Sequence, residues 1–317
     1  MAADAADAII HRAEKFQHPD KTAKGEARAS VALTQLETLW VNTGTLCNIE
    51  CDNCYIESSP VNDRLTYLTT DELAPFLDEA KAMGATEIGF TGGEPFLNPQ
   101  MIAMSEAALS RGFSVLVLTN AMRPMQRPKV QAGLLNLREK FGAKLTLRIS
   151  LDHYARNIHN DERGPGAFNA ALTGIDWLVA NKFSISIAGR NLTGEAETIS
   201  RDGFAALFAD RAIPLDAHNP HDLVIFPEMD TQQDVPEITE ACWEILGKNP
   251  AEIMCASSRM LVKRKGASAA AVVSCTLLPY DGEFELGASL AEAAAPVKLN
   301  HPFCAQFCVL GGASCSG

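Results

Sequence analysis

The chain has 317 residues, 47% hydrophobic and 21% charged, the balance of an ordinary globular protein. Its formal charge of −12 argues against a protein that grips phosphate backbones over a broad basic face, and Lys263-Arg264-Lys265 reads as a solvated face. No apolar run of about 18 residues suggests a membrane span. The opening MAADAADAIIHRAEKF lacks the apolar core of a secretion signal. The expectation is therefore a cytoplasmic protein, whose nine cysteines are better explained by metal or chemistry than by disulfides.

Residues 1–36 read as a polar, Ala-rich arm. The chain then alternates β-like apolar runs with stretches of helical period. The runs are LETLWVNTG (36–44), TEIGFTGG (86–93), FSVLVLTN (113–120), KLTLRISLD (144–152), FSISIAGR (183–190) and DLVIFPEM (222–229). Helices are expected over 70–82, 99–111, 129–141, 166–181 and 200–210. TTDEL (69–73) supplies an N-cap and an acidic first turn to the first of them. Such alternation predicts an α/β fold with a parallel sheet and helical crossovers over residues 37–230. A partial (β/α)6 TIM-like barrel is the first reading and doubly wound order the second. In both, ligands collect at the C-terminal ends of the strands, and TGTLC, TGGEP, TN and SLD fall there. After about residue 230 the rhythm fades, and five of the nine cysteines follow position 254, so 231–317 reads as a smaller cysteine-rich region.

Cys47, Cys51 and Cys54 stand at i, i+4 and i+7 in LCNIECDNCYIESSP. One buried helical face would give this spacing. However, Asn48, Glu50, Asp52 and Asn53 between them are polar, and Thr43-Gly44-Thr45 before them reads as a loop. Structural zinc closes its tetrahedron with four ligands. Three clustered thiolates fit better a 4Fe–4S cube with one iron left open.

The spacing has companions. Cys47-x-x-x-Cys51-x-x-Cys54 follows the first strand, TGGEP comes about forty residues later, and ISLD ends the fourth strand. Together these resemble the radical S-adenosylmethionine (SAM) superfamily, over roughly residues 36–230. The resemblance implies a SAM-binding 4Fe–4S cluster on Cys47, Cys51 and Cys54, with the methionine amino and carboxylate groups of SAM on the open iron. It implies that Gly92, Gly93 and Glu94 meet the SAM ammonium, that Asn120 touches the ribose region and that Ser150 contacts the SAM carboxylate. For Asn120 and Ser150, strand-end capping is the alternative. HNDERGPGAF (159–168) is similar to a loop that follows the fourth strand in this superfamily. Arg163 within it, and Arg190 at the end of the fifth strand, read either as partners of a cofactor carboxylate or as structural salt bridges. The chain departs from the family pattern where an aromatic commonly precedes the third cysteine: Asn53 stands there, and Tyr55 follows. The implied reaction is reductive cleavage of SAM to a 5′-deoxyadenosyl radical that abstracts hydrogen, fed by an electron donor such as flavodoxin or ferredoxin.

The tail carries Cys255, Cys275, Cys304, Cys308 and Cys315. Beside a core of this type they resemble the SPASM and Twitch extensions. The resemblance implies one auxiliary 4Fe–4S cluster on Cys255, Cys275, Cys304 and Cys308, with Cys315 as the alternate fourth ligand. Zinc is the other reading, since Cys304-x-x-x-Cys308 supplies half a tetrahedron. Cys242 reads as a buried helix residue. The implied substrate is a small molecule or a peptide, the net reaction an oxidation or a cross-link. The 36 residues ahead of the core are too few for a typical leader-peptide-binding module. His153, Tyr154, His159, His218, His221 and Tyr280 are candidate pocket residues without a supporting motif. An iron–sulfur electron carrier would explain the cysteines but has no use for TGGEP.

Overall fold

The computed structural model describes residues 14–230 and 232–313, so the first part of the arm and Cys315 lie outside the described residues. The arm adds a two-residue strand, β1 (Ser30–Val31). Six strands then occupy the six apolar runs: β2 (Thr38–Asn42), β3 (Glu87–Thr91), β4 (Ser114–Thr119), β5 (Leu145–Ser150), β6 (Ser184–Arg190) and β7 (Leu223–Phe226). All five expected helices form: α1 (Thr70–Ala82), α2 (Met101–Ser110), α3 (Pro128–Phe141), α5 (Ala167–Ala180) and α6 (Glu197–Asp210), with an additional short helix, α4 (Arg156–Arg163), ahead of α5. Local chemistry explains several boundaries. Thr69 and Glu72 close a reciprocal capping box on α1, and α3 starts on Pro128 and stops at Gly142, whose φ is 60°.

The six strands pair in parallel and in chain order, β2-β3-β4-β5-β6-β7. A doubly wound sheet would reverse its order at a switch point; this one does not, and it is a partial barrel, open between its edge strands. Beyond residue 230 the chain returns to the same sheet. There β8 (Ser258–Val262) lies parallel to β2, and β9 (Ala271–Val273) and β10 (Glu285–Gly287) continue antiparallel. Inside the barrel, Trp40 packs flat on β3 at Gly89, where an added Cβ would stand 2.4 Å from the indole ring.

The arm belongs to the tail. β1 pairs with β11 (Val297–Lys298), and fully buried Arg28 donates to Glu237 (2.6 Å) and to the carbonyls of His18 and Lys21. One apolar core fills the space between helices and sheet. A second joins the arm, the tail and the inner face of the sheet, and contains Cys255, Cys275 and Cys304. The basic triplet is neutralised: Lys263 pairs with Glu72, Arg264 with Glu285 and Lys265 with Asp63. Among the described residues no helix is long and apolar enough to cross a membrane.

Candidate functional site

A cavity of about 410 Å³ opens at the C-terminal ends of the barrel strands. Its floor is built by the loops that leave β2, β3, β4 and β5. Cys47, Cys51 and Cys54 line one side, Gly92 and Gly93 the next, then Asn120, Ser150, Arg163 and Arg190. The two glycines are dictated by packing. Gly92 has φ 141°, and a Cβ on Gly93 would meet the Leu46 carbonyl oxygen at 2.3 Å. The Gly93 N–H donates to the Gly44 carbonyl (2.9 Å) and the Glu94 N–H to the Leu46 carbonyl (3.1 Å). The turn after β3 is thus stitched to the segment that leads into Cys47.

Glu94 is buried and stands behind this floor, not on it. Its carboxylate accepts from the Thr119 hydroxyl (2.9 and 3.1 Å) and from the N–H groups of Asn120 (2.9 Å) and Phe96 (3.1 Å). Burial raises its pKa to about 7 against the pull of those donors. It fixes the end of β4, where the Asn120 side chain donates to Asn48 (2.9 Å) and accepts from the Met122 N–H (2.9 Å). Asn120 therefore combines strand-end capping with a place on the cavity wall.

The cysteine loop is tied to the opposite wall by α4. Glu162 accepts from the N–H (3.0 Å) and the side-chain amide (3.1 Å) of Asn53, and its own carbonyl takes the Asp52 N–H (3.1 Å). Asn53, where an aromatic is common, is thus a latch residue here. The same carboxylate binds Arg190 (2.6 Å), which also chelates Glu228 (2.8 and 2.6 Å). Arg163 forms a two-pronged pair with buried Asp152 (2.5 and 2.8 Å). Its cation also reaches Cys47 and Cys51, drawing their thiols toward ionisation. Burial outweighs it and pushes Cys47 up to about 12 and Cys51 to about 11. A metal site overcomes such a penalty by ionising the thiol directly. The Ser58 N–H to Cys54 Sγ bond (3.3 Å) and the Ile49 N–H toward Cys47 add donors suited to thiolate ligands. The residues present fit an iron–sulfur cluster.

The roof comes from the tail and from the strand-end segment after β7. Phe226, Pro227, Met229, Leu277, Phe303 and Phe307 are its apolar part, and the Phe226 and Phe307 rings lie 5.5 Å apart. Leu277 and Phe303 also line a second, smaller cavity, whose wall includes Cys255, Cys275, Cys304 and Cys308. Cys304 and Cys308 share one face of a π-helical turn (Cys304–Leu310). The N–H groups of Leu277 and Leu278 point at the Cys275 sulfur, and burial raises Cys255 to about 12 and Cys304 above its ordinary value. Among the described residues no three His, Cys, Asp or Glu side chains converge on one ion position; these four thiols stand around a cavity instead.

None of His153, Tyr154, His159, His218, His221 or Tyr280 lines the main cavity. Tyr280 acts from outside it, donating to the Ile56 carbonyl (2.7 Å) and so bracing the cysteine loop against the tail. Cys242, expected as a buried helix residue, begins a short helix, α7 (Cys242–Leu246), but is only half-buried beside Thr239 at the helix start, and it lines neither cavity.

The geometry is matched by similarity to known proteins. The family model of the radical SAM superfamily matches residues 41–199. The AdoMet-dependent heme synthase of Methanosarcina barkeri is 29% identical over 145 residues, 44% of this chain and 38% of that protein. The crystal structure of Streptococcus suis SuiB bound to S-adenosylmethionine matches with a TM-score of 0.59 at 10% identity, over 80% of this chain and 64% of that one. SuiB bound to the precursor peptide SuiA gives 0.56 at 11%, over 81% and 63%. These structural likenesses are of fold. The chain matches less than two thirds of each of these relatives' lengths.

Proposed function

Because the chain belongs to the radical SAM superfamily, we propose that Cys47, Cys51 and Cys54 hold a 4Fe–4S cluster with one open iron, and that SAM binds beside it in the main cavity. The observation that carries this reading is convergence: three thiols, the Gly92-Gly93 turn, Asn120, Ser150 and Arg163 meet on one floor although up to 116 positions separate them in the chain. When bound, the two groups supply one-electron reductive chemistry and a hydrogen-abstracting radical. The protein's part is to bind, orient and exclude water. Gly92 and Gly93 offer close backbone approach to the SAM ammonium, with Glu94 setting the floor from behind. Asn120 and Ser150 face the ribose and carboxylate side. Arg163 supplies positive charge beside the thiolates, and Arg190 holds the loop through Glu162.

In this reading Cys255, Cys275, Cys304 and Cys308 hold one auxiliary 4Fe–4S cluster, Cys315 being the alternate fourth ligand. Residues 37–230 are the radical core and 231–317, with the arm, the auxiliary region. That Cys255, Cys275, Cys304 and Cys308 line one cavity supports a shared site for these four thiols. Four thiolates favour a fully ligated cluster that exchanges electrons, hence a net oxidation or cross-link of a small molecule or peptide. The electron donor would be a flavodoxin or ferredoxin, and cysteines of this kind suit the reducing cytoplasm.

Anaerobically reconstituted Cys275→Ala is expected to keep about half the wild-type iron and still cleave SAM to 5′-deoxyadenosine. Loss of all iron and all cleavage would show that the tail site serves folding alone. Full iron without any cleavage in the wild type would favour an electron carrier.

A further inference from the structure

The cavity that would hold SAM has two unlike halves. Its floor is polar and, in the proposed function on which this inference rests, is taken up by cluster and cofactor. Its roof is apolar, led by Phe226, Leu277, Phe303 and Phe307. About 410 Å³ is toward the low end of small-molecule pockets. The part of the lining not assigned to cluster and cofactor is the roof, so what the cavity offers a substrate there is an apolar, aromatic face.

Charge on the lining is almost wholly cancelled. Asp152 is paired with Arg163, Arg190 with Glu162 and Glu228, and Glu57 with Arg64. Among the described residues, Asp230 is the charged lining residue with no ion pair, its carboxylate taking only the Gln232 N–H (2.6 Å). It is exposed at the rim, yet it is firmly placed. The Asp230 N–H donates to the Gln306 side chain (2.9 Å), and the Gln306 amide donates back to the Asp230 carbonyl (2.7 Å). That reciprocal pair sets the carboxylate next to the turn that carries Phe303 and Phe307 into the roof. The net charge of −12 further favours approach by cations.

We infer that the substrate places an apolar, ring-sized group under the Phe226–Phe307 roof and a cationic group against Asp230 at the rim. An amine beside a hydrophobic side chain has this chemistry whether it belongs to a free molecule or to a basic residue next to an aromatic one in a peptide. An acidic group in the same place would meet an uncompensated carboxylate.

The test uses the reconstituted holoenzyme with SAM bound and four probes read by calorimetry: phenethylamine, 3-phenylpropanoate, methylamine and the capped dipeptide phenylalanyl-lysine amide. Phenethylamine and the dipeptide should bind, the tighter of the two separating a free amine from a peptide, whereas phenylpropanoate should bind at least about threefold and methylamine at least about tenfold more weakly. Asp230→Asn, a change at an exposed side chain, should weaken the cationic aromatic probes about threefold. Phe307→Ala should weaken them about tenfold. Equal binding of phenylpropanoate, or an Asp230→Asn protein that binds the amines as the wild type does, would overturn the inference. So would SAM binding with no probe binding at all, and the cofactor reading would then stand. Failure of the wild type to bind SAM would instead overturn the reading beneath it.

Discussion

Replacing Cys51 with alanine is expected to abolish SAM cleavage while leaving the protein folded and about half of its iron in place. Cys51 stands between Cys47 and Cys54 on the cavity wall, and its thiol is half-buried in a loop whose backbone is held independently by Glu162. The substitution removes one ligand of three and adds no bulk, so the fold has no reason to fail. The reading is the yield of 5′-deoxyadenosine under a strong reductant, set against iron content and a thermal melt. Cleavage near the wild-type rate would mean that these thiols do not hold the reactive cluster. The contrast with Cys275→Ala makes the pair informative, because each removes a different half of the iron and only Cys51→Ala should silence the cofactor.

Gly93→Ala should be nearly as damaging by a purely steric route. The new Cβ would stand 2.3 Å from the Leu46 oxygen and 2.7 Å from that of Thr45, both backbone atoms that cannot rotate away. Relief requires moving the segment that leads into Cys47, and with it the Gly93–Gly44 and Glu94–Leu46 hydrogen bonds (2.9 and 3.1 Å). The expected cost is about 1–3 kcal/mol of stability, together with poor retention of the first cluster. Gly282→Ala is the control, since nothing lies within 4 Å of its added Cβ. Denaturant unfolding of the metal-free proteins and iron retention after desalting check both. Wild-type behaviour of Gly93→Ala would show that the turn is free to shift.

Much of this was legible from residue patterns. The six core strands are short runs rich in Val, Ile, Leu and Phe, and β2 to β5 lead into polar residues that belong to the cavity floor, so strand positions and site positions were read together. The elements that escaped are those whose stabilising partners are remote. α4 is RNIHNDER, with too little apolar character to show a stripe; it forms because His159 is buried against Phe168 and because Arg163 and Glu162 are anchored to Asp152, Asn53 and Arg190. β8 hides because Arg259 interrupts its apolar run. That arginine is fully buried, and its guanidinium donates to the carbonyls of Ala293, Cys255, Ser258 and Ala295. The Asn53–Glu162 latch spans 109 positions, and no local signal announces it. The family resemblance implies that Glu94 meets the SAM ammonium; the pattern gave no sign that its carboxylate also takes three donors, from Phe96, Thr119 and Asn120. The apolar roof was also invisible, because Phe226, Leu277 and Phe307 come from separate segments and carry no motif.

The most direct measurement is the low-temperature electron paramagnetic resonance spectrum of the reduced, reconstituted wild-type protein as SAM is added. An open iron facing the cofactor should give one cluster signal that changes with SAM and saturates, with the change missing in Cys51→Ala. A spectrum indifferent to SAM, or protein in which Cys47, Cys51 and Cys54 bind a metal without sulfide, would contradict the assignment.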